Sequence, residues 1–169
     1  MLVRPITKEE RLQSAQLFAI AFESPFDPND LTPFAENPCI WAAFDEESGE
    51  MMSTVYVTDY RVQFDGGRYK MGGIGGVASL PQYRRAGGIR ACFQKALPIL
   101  YREGYVFSYL YPFSTAYYRK FGYESCVQRY LAVLDLRQPR PAEFSGSFRL
   151  ARGGDMLLPA IRQLDERWE

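Results

Sequence analysis

The segment GGIGGVASLPQYRRAGGIR, residues 72–90, constrains this chain most, because it closes a strand and opens a helix through exposed backbone amides. The first four N–H groups of a helix have no intrahelical acceptor, and the aligned peptide dipoles place roughly half a positive charge there. Glycine at 87 and 88 removes the Cβ atoms that would hold a pyrophosphate away from those amides. Arg84, Arg85 and Arg90 bring cationic donors suited to phosphate to the same spot. The pattern is a pyrophosphate cradle at a strand–helix junction.

The rest of the chain narrows the field by what it lacks. With 169 residues and 47% apolar content it reads as globular, long enough to bury about 70% of its unfolded surface. Its 20 basic and 20 acidic residues cancel, so no global field draws nucleic acid, and the cations at 84–90 are a local feature. There is no histidine, which excludes Ser–His and Cys–His catalysis, histidine metal sites and imidazole bases. Cys39, Cys92 and Cys126 have neither metal nor redox spacing, and no metal site is expected. They read as three buried thiols in a reducing compartment. No apolar run has the length of a membrane span and no signal-peptide core opens the chain, so a cytoplasmic protein without membrane contact is expected.

Periodicity gives the order strand, helix, strands, helix, strand, helix, strand. The expected elements are a strand over 2–6, a helix from Lys8 to Phe22, and strands over 39–45, 51–64 and 68–80. They continue with a helix from Gly88 to Glu103, a strand over 105–111, a short helix over 114–121 and a strand near 126–135. The first helix should bury Leu12, Ala15, Phe18, Ala19 and Phe22, and Pro98 should kink the second. Four prolines make 23–38 a loop beside a pocket. A break at RQPRP separates an expected domain over 1–136 from an extension over 137–169, whose stripe of Leu157, Ile161, Leu164 and Trp168 is expected to pack on this domain or on a missing neighbour or, if exposed, to join an oligomer. The fold class is α/β with a mixed, mostly antiparallel sheet.

Two readings compete for the glycines before the cradle. Gly73, Gly75 and Ala78 satisfy the letter of a dinucleotide fingerprint, but that motif needs a helix beginning inside it and an acidic residue about 20 positions later. Here Ser79-Leu80-Pro81 keeps the chain extended, and Pro98 stands near the place of the acid. The other reading starts from RRAGGI, which resembles the acetyl-CoA motif of the GNAT N-acetyltransferase superfamily, with Arg84 and Gly87 in matching places. YYRKFGYE at 117–124 resembles a second motif of the subfamily typified by the mycobacterial "enhanced intracellular survival" aminoglycoside acetyltransferase. Ile89, at the motif's last position, matches the large aliphatic residues found there in that subfamily. The resemblance covers about residues 1–135, with both motifs in the family's order.

The resemblance implies a GNAT-like sheet with a splayed central strand and flanking helices, and acetyl-CoA as co-substrate. It places Val77, Ala78 and Ser79 at the pantetheine, and Arg84, Arg85, Ala86, Gly87, Gly88, Ile89 and Arg90 at the pyrophosphate. Phe113 and Ser114 border the cofactor, and Tyr118 stands as the general acid for the departing sulfur. In that subfamily the base is the carboxylate at the chain's own C-terminus, far beyond residue 169, in longer proteins with a second acetyltransferase-like half. This chain is therefore expected to be an excised domain or a shorter enzyme, with Glu23, Asp27 or a water chain as base. Acidic and aromatic groups at Phe22, Glu23, Phe26, Asp27 and Trp41 suit a cationic amine, whether a small molecule or a lysine side chain. The expected activity is acetyl transfer to a primary amine; the alternative is a catalytically weak acyl-CoA-binding or assembly domain.

Overall fold

The computed structural model describes residues 1–29, 39–127, 130, 131 and 133. By compactness the chain divides into a unit Met1–Ser125 and a second, Cys126–Glu169. In chain order the elements are β1 (Leu2–Pro5), α1 (Arg11–Phe22), β2 (Cys39–Phe44), β3 (Met51–Phe64), β4 (Gly67–Ser79), α2 (Gly88–Arg102), β5 (Tyr105–Leu110) and α3 (Thr115–Tyr118). Short 3-10 turns at Pro81–Tyr83 and Arg119–Phe121 precede α2 and follow α3. The sheet order is β1-β2-β3-β4-β5; the first four strands are antiparallel and β5 runs parallel to β4. This is the mixed, mostly antiparallel sheet the sequence implies. Of the strand expected near 126–135, residues 126, 127, 130, 131 and 133 are described and are not in a strand, while the others lie outside the described residues, as does the whole extension over 137–169 with its apolar stripe.

The core follows from β2, whose sequence CIWAAF is apolar on both faces. A strand with that pattern must be covered on both sides. Trp41 and Ala43 join Val55, Val57 and Ile74 on one face, against Cys92, Phe93, Ala96 and Leu100 of α2. Ala42 and Phe44 join Met51 and Ala78 on the other, against Leu17 of α1. Burial of each large apolar side chain in these layers contributes about 1.5–3 kcal/mol.

α1 departs from the expected stripe. It buries Ser14, Ala15, Leu17 and Ala19, whereas Leu12 and Phe22 are exposed. A polar contact sets this rotation: Ser14 Oγ lies 2.8 Å from the Tyr56 hydroxyl of β3, and the small residues beside it let the helix approach. α2 runs unbroken through Pro98, which sits on its exposed side, where a missing N–H costs least. Of the cysteines only Cys92 is buried, where desolvation pushes its thiol up to about 12; Cys39 is half-buried and Cys126 exposed.

Entry into α1 is fixed by Glu10, whose carboxylate accepts 2.7 Å bonds from both terminal nitrogens of Arg4 and one from Thr7 N at 2.8 Å. The Arg4 contact holds the Glu10 carboxyl down at about 2. A carboxyl depressed in the folded state stabilises above its unfolded pKa near 4.3, and that contribution disappears as pH falls toward 2. Acid unfolding followed between pH 5 and 2 should therefore be less steep in Glu10→Gln than in the parent, and equal slopes would refute this role.

Candidate active site

The site is built from backbone where β4 leaves its neighbours. Tyr56 stands opposite Gly75 and Thr54 opposite Ala78, so Gly76 and Val77 together face Val55 in a β-bulge. Gly76 adopts a left-handed φ of +50°, and its carbonyl oxygen accepts from Thr54 Oγ1 at 3.0 Å. A Cβ on Gly76 would lie 2.5 Å from the Tyr56 ring, so glycine is required by conformation and by space. On the opposite edge of β4, pairing with β5 ends at Ile74 and Leu110, while β4 continues to Ser79. The peptide groups of 75–79 on that side have no ladder partner among the described residues. The opening is bordered by these groups and by the β5 exit at Tyr111–Phe113, at the place where the family resemblance implies a splayed central strand.

The chain then passes into the cradle. Ala86 N donates to Tyr83 O at 3.2 Å, and the next loop bond is Ala91 N to Gly87 O at 2.9 Å. Between them the amides of Gly87, Gly88, Ile89 and Arg90 have no backbone acceptor among the described residues, as a helix start dictates. Arg85 and Gly87 are both left-handed, with φ of +70° and +88°, which costs roughly 1–2 kcal/mol at the arginine. Arg84, Arg85 and Arg90 are exposed and form no ion pair among the described residues. An excess of positive charge is thus held at one place on a neutral chain, where an anion would neutralise it.

The two cradle glycines serve different ends, which corrects the sequence reading. Gly87 and Ala86 are exposed, and a Cβ on Gly87 would meet nothing within 4 Å, so glycine there serves the left-handed turn. Gly88 is buried, and a Cβ on it would stand 2.5 Å from Ser53 Oγ and 3.3 Å from the Ala43 Cβ. Its small size lets α2 dock on the sheet rather than giving a pyrophosphate access. Ser53 Oγ in turn lies 2.6 Å from Ser79 Oγ, tying the end of β4 to the same spot. Ile89 is half-buried against the α2-side core.

Tyr118 is 5% exposed and joins the core cluster containing Ile74, against which Leu110 and Val77 also pack, residues that flank the opening. Its ring meets Phe93, Phe113, Tyr117 and Tyr123 at centroid distances of 5.3–6.5 Å. Its hydroxyl has no hydrogen-bond partner among the described residues. Burial pushes this phenol up to about 12, with Tyr117 and Tyr123 adding to the effect. Phe113 is 74% exposed beside it, and Ser114 Oγ caps α3 by accepting from Tyr117 N at 3.3 Å.

The acceptor-side residues are not brought together. Trp41 is 5% exposed within the α2-side core and offers no surface to a substrate, which overturns its reading as a binding aromatic. The apolar run of β2 accounts for it completely. Phe26 is half-buried and Glu23 is exposed at the left-handed end of α1. Asp27 Oδ1 is taken up by its own turn, accepting from Asn29 N at 2.8 Å and Asn29 Nδ2 at 3.1 Å. Thr54 and Gly76 went unnoticed as site residues in the sequence, although paired glycines inside a strand are a bulge signal.

Comparison with known families decides what this geometry belongs to: the model of the acetyltransferase (GNAT) domain matches residues 2–126. The chain belongs to the GNAT family. A probable N-acyltransferase from Enterococcus faecalis is 35% identical, with a TM-score of 0.67 over 73% of this chain and 32% of its own. Eis1 from Mycobacterium abscessus shares 19% identity and a TM-score of 0.61 over 73% of this chain and 31% of its own. Glucosamine-6-phosphate N-acetyltransferase from Arabidopsis thaliana shares 13% identity and a TM-score of 0.62 over 79% of this chain and 98% of its own. The GNAT chain described here thus spans about a third of the Enterococcus and Mycobacterium proteins. The search of the curated proteins finds no match. Among the described residues no helix is long and apolar enough to cross a membrane.

Proposed function

We propose that this GNAT domain transfers an acetyl group from acetyl-CoA to a primary amine. The observation that carries the reading is the opening between β4 and β5, which runs from the Gly76 bulge into a cationic loop and a helix N-terminus that have no ion pair and no backbone acceptor among the described residues. The donor set fits the cofactor: amides and three arginines for a diphosphate, free strand peptide groups for an amide-bearing arm. Acetyl-CoA supplies a thioester whose acyl carbon is activated toward amines. Arg84, Arg85, Arg90 and the amides of 87–90 bind its diphosphate, and the peptide groups of 75–79 orient its pantetheine. Phe113 lies along the opening. Glu23, Asp27 or a water chain would draw a proton from a cationic acceptor, with Asp27 Oδ1 also accepting from Asn29.

Tyr118 holds a proton at its Oη for the departing sulfur. Full transfer from a phenol near 12 to a thiolate near 8.5 is uphill by about 5 kcal/mol. Its contribution is therefore a hydrogen bond donated to the sulfur as negative charge develops, not delivery of a free proton. The acceptor class spans small polyamines, amino sugars and lysine side chains.

Thermal melts with acetyl-CoA, desulfo-CoA and NAD test the cofactor, and thiol release with a panel of amines tests the transfer. A CoA compound at about 100 times its Kd should stabilise the fold by roughly 2.7 kcal/mol. A shift with NAD alone, or with none of the three, would refute the reading.

A further inference from the structure

We infer that Glu50 and Tyr83 form a clamp that sets the cradle loop in its ligand-binding shape, so that both are positioning residues for the cofactor diphosphate. The inference rests on the acetyl-CoA reading above. Tyr83 immediately precedes Arg84, and its hydroxyl donates to Glu50 Oε2 at 2.8 Å across a sequence separation of 33. Gln82 Nε2 reaches the other oxygen, Glu50 Oε1, at 3.4 Å. Both oxygens of this carboxylate are therefore engaged by neutral groups of the loop, while Arg84 and Arg85 next to them remain without an ion pair among the described residues. A carboxylate placed here fastens the loop without spending its charge on the arginines.

Glu50 is itself held firmly. Asp45 Oδ1 accepts from Glu47 N at 3.1 Å, Ser48 N at 2.8 Å and Ser48 Oγ at 3.0 Å, closing the turn before β3. Asp45 N donates to Glu50 O at 2.9 Å, and Glu50 N to Ser48 Oγ at 3.3 Å, so the turn presents Glu50 from a defined backbone. The loop is fixed at its start by Leu80 N donating to Met52 O at 3.0 Å and at its end by Gly88 against Ser53. Between these fixed ends lies the strained left-handed Arg85. The Tyr83 and Gln82 contacts with Glu50, with the Ser48 side chain also acting on the Tyr83 hydroxyl, tie this middle stretch to the turn before β3. A hydrogen bond to a charged acceptor is among the stronger kinds, which suits it to offset such strain.

The test titrates CoA and, separately, pantetheine, which lacks the diphosphate, into the parent, Tyr83→Phe, Glu50→Ala, Glu50→Gln and the Tyr83→Phe/Glu50→Ala pair. Melting of each without ligand confirms folding; Tyr83→Phe removes a single oxygen. The expected result is that Tyr83→Phe and Glu50→Ala each weaken CoA binding by about tenfold. The double variant should be no weaker than either single one, Glu50→Gln should lose less CoA affinity than Glu50→Ala because it keeps an acceptor oxygen without the charge, and pantetheine should bind all five alike. Unchanged CoA affinity in Tyr83→Phe, or equal losses for CoA and pantetheine, would overturn the clamp while leaving the cofactor reading intact. A parent protein that binds no CoA would overturn both.

Discussion

Replacing Gly76 with alanine is expected to lower folding stability by about 3 kcal/mol and to abolish acetyl-CoA binding. Two costs combine there. A left-handed φ of +50° penalises any Cβ, and the added carbon would stand 2.5 Å from the Tyr56 ring. The ring cannot simply turn aside, because its hydroxyl is fixed 2.8 Å from Ser14 Oγ on α1. Relief therefore comes from flattening the bulge, which re-aims the peptide groups of 75–79. Gly75→Ala is the matched control: its φ is not positive and its Cβ would meet nothing within 4 Å. Denaturant unfolding with CoA titration of both variants checks this, and a Gly76→Ala protein as stable as the parent would show that the bulge is soft.

Tyr118→Phe is expected to reduce kcat by about 10²-fold at unchanged acetyl-CoA affinity. Removing the hydroxyl deletes the donor to the departing sulfur and leaves the ring packing with Phe93 and Phe113 in place. The pH dependence carries a second signature. A phenol pushed up to about 12 by burial keeps its proton through the ordinary alkaline range. Its donor function is lost only as pH approaches that value, so the parent should show no descending limb near pH 10. Steady-state rates from pH 6 to 10.5 decide this, and a fall centred near 10 that vanishes in the phenylalanine variant would mean that Tyr118 titrates as an exposed tyrosine does.

The parts of the fold that repeat with a regular period were legible in the sequence, and the parts set by one unusual backbone angle were not. Strand β3 alternates from Tyr56 to Phe64, and helix α2 carries its apolar residues at spacings of three to four, so their limits could be read closely. The cradle was legible because arginines, glycines and a helix start fall together in one short stretch. Trp41 misled because an aromatic beside a proline-rich loop resembles a binding group, while the doubly buried character of CIWAAF shows only when both faces are traced. Gly88 misled because a glycine near phosphate-binding amides has two uses, and only the sheet beneath it reveals which applies. The Tyr83–Glu50 contact joins residues far apart in sequence and leaves no local pattern. The α1 stripe shifted because a serine, polar on any scale, found its partner in a buried tyrosine.

The opening has a consequence for solubility as well as for binding. Where β4 outruns β5, the sheet contains an edge in its interior, whose N–H and C=O groups have no ladder partner among the described residues and so invite another strand to add on. Proteins blunt such edges by twisting them, by interrupting them or by keeping them short. The two-for-one bulge at Gly76 and Val77 does the first two at once, since a strand approaching in regular register would find its partner groups out of step. The kink that shapes the groove thus also discourages chains of this protein from adding to one another strand by strand.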